Sequence, residues 1–467
     1  MNPVRERGRR RLVALITFIY LLLIFEGVLR KWAFPSLGQA LFFVRDPFVL
    51  LAYALAFRHG FFPKSSPFLL IGMALGMLAF LLVGVQTLSP SARGDGVMLI
   101  AGYGWRNYFF YIPLAFVIGE SFERPDLERI VRWTLILAIP TSVLVFLQFI
   151  SPLTSPINVG FGAAKTMQYR GLTIDGEHTR PMGFFTSDVG QKEFAVSALA
   201  MAIALWISPV ARRFVKFWIL LPTTCAVLAC LAVGGSRGAV VHAALVMLAA
   251  LACAVLIRGG GVSVRALIWP SLIGVAAVVL YPILFPEGFS AFVGRWNTAY
   301  AAEHQHFSLG IVGRALYGFI DFFSLMGEAP LAGYGLGLAG NASTVLGITI
   351  DNFTGWAETD WARHIVDLGP VMGLLFICYR IAFTGWLGLR CLHGARQMQD
   401  PLPLLLFAFV GIDLLYGLMT GHGTINGYVW LFTGFCLAAA SPALAKPVTA
   451  RAPQSLALPP RFANLMR

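Results

Sequence analysis

Apolar runs of about 20 residues, each long enough for a helix to cross a membrane, repeat along nearly the whole chain. Polar segments separate them. The pattern therefore predicts an all-α polytopic membrane protein with about twelve transmembrane helices and both termini on one side. The predicted spans lie near residues 12–29, 39–57, 67–86, 97–118, 130–150, 192–208, 217–234, 240–257, 266–284, 368–388, 402–420 and 427–440.

Two of the segments between the spans, residues 151–191 and 285–366, are far longer than the others. Long loops in a compact protein commonly carry function. We predict a single transmembrane domain over residues 1–440, with these two loops as its main extramembrane parts. Residues 441–467 are basic and contain several prolines, which predicts a disordered cytoplasmic tail.

Composition agrees with a membrane location and sets the orientation. Hydrophobic residues make up 58% of the chain and charged residues 12%, and the net charge is +13. With the N-terminus inside, 21 of the 35 Lys and Arg fall in cytoplasmic segments, as the positive-inside rule requires. Both termini are then cytoplasmic and both long loops are external. The positive charge is a topology signal, so we predict no nucleic-acid partner.

Neither cysteine nor histidine spacing indicates a metal centre. The six cysteines fall in spans or cytoplasmic turns without a Cys-x-x-Cys pair, and the eight histidines are scattered without ligand spacing. The glycine-rich run from Gly333 to Gly337 lacks the lysine of a P-loop and the strand of a dinucleotide site, so we interpret it as a turn. We predict no metal and no cofactor.

Several charged residues lie within or at the edge of apolar spans, where an unpaired charge is costly. Arg45 and Asp46 are sequence neighbours and point to different helix faces, so we expect each to pair with another helix. Glu26 and Arg106 are the available partners of opposite charge. Structural ion pairs are the favoured interpretation, and a proton or ion pathway remains the alternative.

A second group of cations is predicted at the outer membrane surface. Arg237 lies in the hairpin between spans seven and eight, where small residues on both sides allow the helices to approach closely. Arg314 lies on the polar side of an amphipathic stretch in the long loop. Arg180 and Arg295 are further candidates for contacts with a phosphate or a sugar. An interfacial arginine can also simply extend its charge to water, and that alternative stays open.

The segment before span ten supplies candidate carboxylates and an aromatic side chain. If it is helical, four charged residues form two surface pairs at i,i+4 spacing, Asp360 with His364 and Arg363 with Asp367. Glu358 and Trp361 are offset from that stripe. A carboxylate beside an aromatic ring commonly binds sugars, so these two are predicted to face a glycan.

From span five to span ten the chain resembles the O-antigen polymerase and O-antigen ligase superfamily of bacterial membrane glycosyltransferases. The resemblance consists of three motifs in the family's order. The first is Arg180-Pro-x-Gly183-Phe184 after a long external loop, and the second is the Gly235-Ser-Arg-Gly-Ala239 hairpin. The third is an arginine, Arg314, about sixteen residues before Pro330-Leu-x-Gly-Tyr-Gly-Leu-Gly337.

The resemblance implies a glycosyltransferase C-type architecture in the bacterial inner membrane, with its active site on the periplasmic side. It also implies a polyprenyl-diphosphate-linked oligosaccharide as donor, a glycan or lipid-linked acceptor, and no metal requirement. Arg237 and Arg314 would then be catalytic and bind the diphosphate. Arg180, Arg295, Trp361, Asp360 and His364 would contact substrate, and Arg106 would help form the cleft for the lipid.

One departure from the family pattern concerns the base. The family often has a histidine nine residues before the acidic residue of an acidic-Leu-Gly motif, and counting back from Asp367 gives Glu358. His364 is the rival. A carboxylate in apolar surroundings can serve as a base, so we assign Glu358 and favour a polymerase over a ligase. A transporter of lipid-linked sugars, or a proton-coupled one, is the alternative from another class.

Overall fold

The computed structural model describes most of the chain as helix. The described residues are 3–38, 40–63, 65–88, 97–159, 173–174, 176, 178–208, 215–257, 262, 267–306, 310–340, 357 and 359–441. The α-helices are α1 Pro3–Val28, α2 Asp46–His59, α3 Pro67–Thr87, α4 Val97–Trp105, α5 Ile112–Ser121, α6 Arg124–Ile150, α7 Asp188–Ile207, α8 Phe217–Val233, α9 Arg237–Leu256, α10 Ile268–Leu284, α11 Pro286–His306, α12 Gly310–Tyr317, α13 Phe322–Leu325, α14 Asp360–Met398, α15 Leu402–Leu415 and α16 Gly423–Ala439. The described residues contain no strand, which confirms the all-α prediction.

Six of the described helices are long and apolar enough to cross a membrane. These are α1 with its π-helical extension to Ala33, α2 from Ala40, α3, α6, α9 and α14. The pair α10 and α11, which break sharply at Phe285, adds a seventh if the two cross together. Helices α8 and α15 are apolar but shorter. The protein is therefore a helical membrane protein, and this count does not reach the twelve predicted spans.

Helices at the centre of the bundle are buried on every side. In α16 almost every residue is buried, and α16 packs against α5, α15 and α14. Helix α7 is likewise buried from Glu193 to Ile207 and packs against α8, α9 and α15. By contrast, α3, α9 and α10 expose large apolar side chains such as Phe80, Val255 and Val278. These outer faces suit contact with lipid.

The ion pairs predicted inside the membrane are present. Nε of Arg45 lies 2.9 Å from Glu26, and Nε of Arg106 lies 2.8 Å from Asp46. Arg106 also donates to the Tyr111 hydroxyl, so its guanidinium is held by several partners. The prediction that neighbouring charges pair with separate helices is confirmed.

Local structure interrupts one predicted span and adds helices within the long predicted loop. Predicted span 97–118 is not one helix, since a π-helical turn from Arg106 to Phe110 separates α4 from α5. Pro113, at the start of α5, has no backbone N–H and so cannot continue the helical hydrogen bonds of the preceding turn. The loop predicted over residues 285–366 contains α11 to α13, and the long helix α14 already begins at Asp360.

The glycine-rich run forms the predicted turn, and it packs into a break in α14. Gly333 has φ +72°, and a side chain there would collide with the backbone of Asp367 and Gly369. Gly369 itself has φ +81° inside α14, just before Pro370. Only glycine adopts such angles at little cost while letting two backbones approach this closely. The run therefore serves as a structural joint.

Candidate functional site

Two adjoining cavities open beside the hairpin between α8 and α9. Their volumes are about 460 Å³ and 330 Å³, and both are lined by Arg180, Ser236 and Arg314. Arg237 and Arg295 also line the smaller one. Four arginines predicted to contact substrate thus surround one cleft, which we call the arginine cleft.

The hairpin positions Arg237 through its backbone. Gly235 has φ +59°, which turns the chain, and the Oγ of Ser236 accepts a hydrogen bond from the N–H of Ala239. Ser236 is therefore the N-cap of α9 and Arg237 its first helical residue. This places the guanidinium at the positive end of the helix dipole, where anions are favoured.

Arg237 and Arg314 approach the same carboxylate oxygen. Nη1 of Arg237 lies 3.0 Å from Oε1 of Glu303, and Nη1 of Arg314 lies 3.2 Å from the same atom. The glutamate is buried near the end of α11, whereas the arginines belong to α9 and α12. Two guanidinium groups that converge on one anionic oxygen form a typical phosphate-binding arrangement. Glu303 therefore marks a position where an anionic oxygen of a ligand can be held.

Arg180 and Arg295 complete the positive side of the cleft. Arg180 is buried just before α7, and its Nη2 lies 2.5 Å from the Asp188 carboxylate. Arg295 comes from α11, the same helix as Glu303. Lys192, one turn after Asp188, lines the larger cavity. The cleft thus combines fixed cations with a smaller number of carboxylates.

The inner wall of the larger cavity contains ionisable residues whose role the sequence did not reveal. Along α9 the lining residues Gly238, Val241, His242 and Leu245 follow one helical face. Opposite them, Asp413 on α15 lies 3.6 Å from Nε2 of His242. In the sequence, the available signal was the helical face of α9 that begins beside Arg237 and includes His242. That face can be recognised as a cavity wall only after Arg237 has been placed in a cleft.

His422, in the turn between α15 and α16, also lines this cavity. Burial lowers the pKa of His422, and the nearby Arg363 guanidinium lowers it further. Its ring is therefore neutral at pH 7, and it adds a polar but uncharged group to the wall.

Asp360 and His364 approach each other to 4.0 Å, as their i,i+4 spacing predicted, but the prediction that they lie on the surface was wrong. Both side chains are fully buried, and Nη1 of Arg380 lies 2.6 Å from Asp360 and 2.8 Å from Nε2 of His364. Because Arg380 can only donate, Nε2 accepts, and Nδ1 donates to the Tyr108 hydroxyl at 3.0 Å. The predicted pairing of Arg363 with Asp367 is also wrong. Arg363 donates to the Ala357 carbonyl, and Asp367 accepts from Tyr108.

The other predicted substrate contacts are also engaged elsewhere. Trp361 is buried, and its indole N–H donates to the Leu415 carbonyl. Arg106 is held by Asp46, as described above. Neither Trp361 nor Arg106 lines the arginine cleft. Glu358, the predicted base, lies outside the described residues. Thr359, the next residue along the chain, lines the larger cavity.

No relatives were found. The chain matches no protein-family model, no curated protein and no solved structure.

Proposed function

We propose that the protein is a membrane glycosyltransferase that transfers a polyprenyl-diphosphate-linked glycan at the outer face of the bacterial inner membrane. The convergence of Arg237 and Arg314 on one oxygen of Glu303 carries the proposal. A diphosphate offers oxygens that can replace that carboxylate oxygen. The cleft lies among apolar helices, which suits a ligand with a long hydrocarbon tail.

The proposal includes the topology and architecture expected from the resemblance. We infer a glycosyltransferase C-type bundle of twelve spans, with both termini in the cytoplasm and the arginine cleft facing the periplasm. Contacts between distant segments support this sidedness. Arg9 pairs with Asp126, and Arg124 with Asp400, at segments assigned to the cytoplasmic end. The cleft arginines come from segments assigned to the opposite end.

The chemistry follows from the charges in the cleft. An acceptor hydroxyl attacks the anomeric carbon, a new C–O bond forms, and the bond to the diphosphate oxygen breaks with its electron pair. The hydroxyl proton passes to the Glu358 carboxylate. Arg237 and Arg314 stabilise the negative charge that develops on the diphosphate. Because arginines are permanently charged, we expect this step to be independent of a metal.

A polymerase is favoured over a ligase that acts on lipid A core. The ligase assignment needs a histidine base near the start of α14, and His364 is the candidate there. Both of its ring nitrogens are already hydrogen-bonded, to Arg380 and Tyr108. A carboxylate base at Glu358 fits better, and the ligase is the second possibility within the same reaction class.

Substitution of the two clamp arginines tests the proposal. Arg237→Lys and Arg314→Lys keep the charge but lose the planar fork, so we expect transfer to fall on the order of 10² in each. The assay is glycan elongation by purified protein supplied with a lipid-diphosphate oligosaccharide, with chelator present. Arg390→Lys is the matched control, since that residue is exposed and stacks on Trp386. Near-normal transfer by both clamp variants would contradict the mechanism.

A transporter of lipid-linked sugars, or a proton-coupled one, is the second candidate function. Three buried ionisable groups near the inner wall, Glu193, His242 and Asp413, favour it, since such groups within spans are often functional. The two functions differ in product. A transporter moves the lipid-linked glycan across vesicles without changing its length, whereas the proposed enzyme lengthens the glycan without needing a proton gradient.

A further inference from the structure

Three side chains from different helices meet at the inner wall of the arginine cleft. Glu193 on α7, His242 on α9 and Asp413 on α15 each offer one ligand atom, and these atoms lie within 4.8 Å of one another. Their exposed fractions are 0%, 4% and 6%. They are therefore held together inside the bundle, although they are far apart in the sequence.

Two of these residues have buried atoms without a hydrogen-bond partner. Oε2 of Glu193 and Nε2 of His242 have no hydrogen-bond partner, whereas Oε1 of Glu193 lies beside the Lys192 ammonium group. A buried polar atom without a partner is costly, so such atoms normally point at a group that satisfies them. Here they point at one another across a gap of a few ångströms.

Charge also favours an additional cation at this position. Nζ of Lys192 lies 2.7 Å from Oε1 of Glu193 and offsets one carboxylate. The Asp413 carboxylate has only the His242 ring as an ion-pair partner among the described residues. Burial of a second carboxylate beside the first is costly unless a cation or a proton lies between them.

We propose that Glu193, His242 and Asp413 bind a divalent transition-metal ion, with Zn²⁺ as the best fit. One imidazole nitrogen and two carboxylate oxygens are ligands typical of zinc, while calcium and magnesium prefer oxygen alone. Ligands about 2.0 Å from a tetrahedral zinc are about 3.3 Å apart. The 3.6 Å between His242 and Asp413 is already close to that value.

The site leaves one coordination position for a ligand in the cleft. His242 and Asp413 both line the larger cavity, so a metal between them faces it. Three protein ligands and an open position distinguish sites that bind a ligand from closed structural sites. The site does not depend on glycosyl transfer, since it is formed by residues other than the proposed base and clamp.

Metal binding to the purified full-length protein tests the site. The protein is stripped with chelator, exposed to Zn²⁺, Mn²⁺ or Mg²⁺ alone, desalted and analysed for bound metal. We expect one equivalent of Zn²⁺, a raised Tm, and a loss of affinity of more than tenfold in His242→Gln and Asp413→Asn. His422→Gln is the matched control, because that histidine lines the same cavity outside the cluster and should retain the metal.

A spectroscopic variant keeps the test informative if those substitutions prevent folding. His242→Cys retains a ligand, so Co²⁺ should bind it and give the absorption of a cobalt–thiolate bond, which wild-type protein lacks. Absence of bound zinc in the wild type, or equal zinc in the wild type, His242→Gln and Asp413→Asn, would overturn the proposal. A Tm that follows pH but never metal would mean that a proton occupies the position. Zinc binding by a protein that transfers no glycan, with chelator or without it, would contradict the proposed function alone.

Discussion

Substitution of Glu303 offers a sharp test of the clamp, because an internal carboxylate now occupies the position proposed for the donor diphosphate. Glu303→Gln preserves the shape of the side chain and removes its charge. A competing anion is thereby lost, so we expect lipid diphosphates to bind more tightly. A merely structural glutamate would give the opposite result, since its loss would loosen the cleft.

The magnitude follows from the exposure of the two pairs. The Arg314 side chain is 53% exposed and that of Arg237 22% exposed, so both pairs are screened by solvent. We assign about 0.5 kcal/mol to the Arg314–Glu303 pair and about 1 kcal/mol to the Arg237–Glu303 pair. Together, the ion pairs that a bound diphosphate must replace amount to roughly 1.5 kcal/mol. That equals about a tenfold gain in donor affinity on its removal.

The assay is calorimetric titration of detergent-solubilised protein with a short polyprenyl diphosphate. Glu287→Gln serves as the matched control, because that residue lies on the same helix and is exposed. The same titration with the polyprenyl monophosphate should show a smaller gain, since it has fewer oxygens for the clamp. Weaker binding by a Glu303→Gln protein of unchanged Tm would refute the idea that the carboxylate stands where the diphosphate binds.

Further outcomes are expected elsewhere in the chain. Glu358→Gln should abolish transfer yet leave donor binding intact, and a fully active variant, measured by the elongation assay, would exclude it as the base. His364→Ala should lower the free energy of unfolding by about 2 kcal/mol, visible as a reduced Tm, because it removes the buried hydrogen bonds to Tyr108 and Arg380. Arg106→Ala leaves a carboxylate without its cation and should cost about 3–5 kcal/mol, measured by the same thermal unfolding. In a cysteine-free background, a cysteine that replaces Gly327 should react with an impermeant thiol reagent added from outside, and one that replaces Arg58 should not. The reverse labelling pattern would contradict the proposed topology.

The pairing of charges within the membrane was predictable because the bilayer leaves few alternatives. Once Arg45 and Asp46 are placed in apolar surroundings, each needs a partner of opposite charge, and the apolar spans contain few charged residues. Arg237 and Arg314 were proposed as one site on different grounds, since the family resemblance implied that both bind the diphosphate. Apolar length also predicted the helical class, since only backbone hydrogen bonds within the helix satisfy polar groups in lipid.

The polar first turns of α14 show what sequence reasoning could not provide. Their polarity suggested that Asp360 and His364 face solvent. In the structure both are buried, and the guanidinium of Arg380, from the same helix, lies within hydrogen-bond distance of each. The residues of the proposed metal site were missed for a similar reason. Glu193, His242 and Asp413 are too far apart in sequence for any spacing rule, and only the packing of three helices brings them together.

Gln86, at the end of α3, has a consequence for how the protein assembles. Its amide nitrogen donates to the carbonyls of Ala332 and Asp367, and its oxygen accepts from the Leu336 N–H. During synthesis α3 leaves the ribosome long before these partners, which follow 246 to 281 residues later. Water at the membrane surface must hydrate Gln86 in the meantime. We therefore expect α3 to remain free to rotate after insertion and to be fixed only when the last third of the chain is made, so that truncated chains should leave this helix exposed to membrane quality-control proteases.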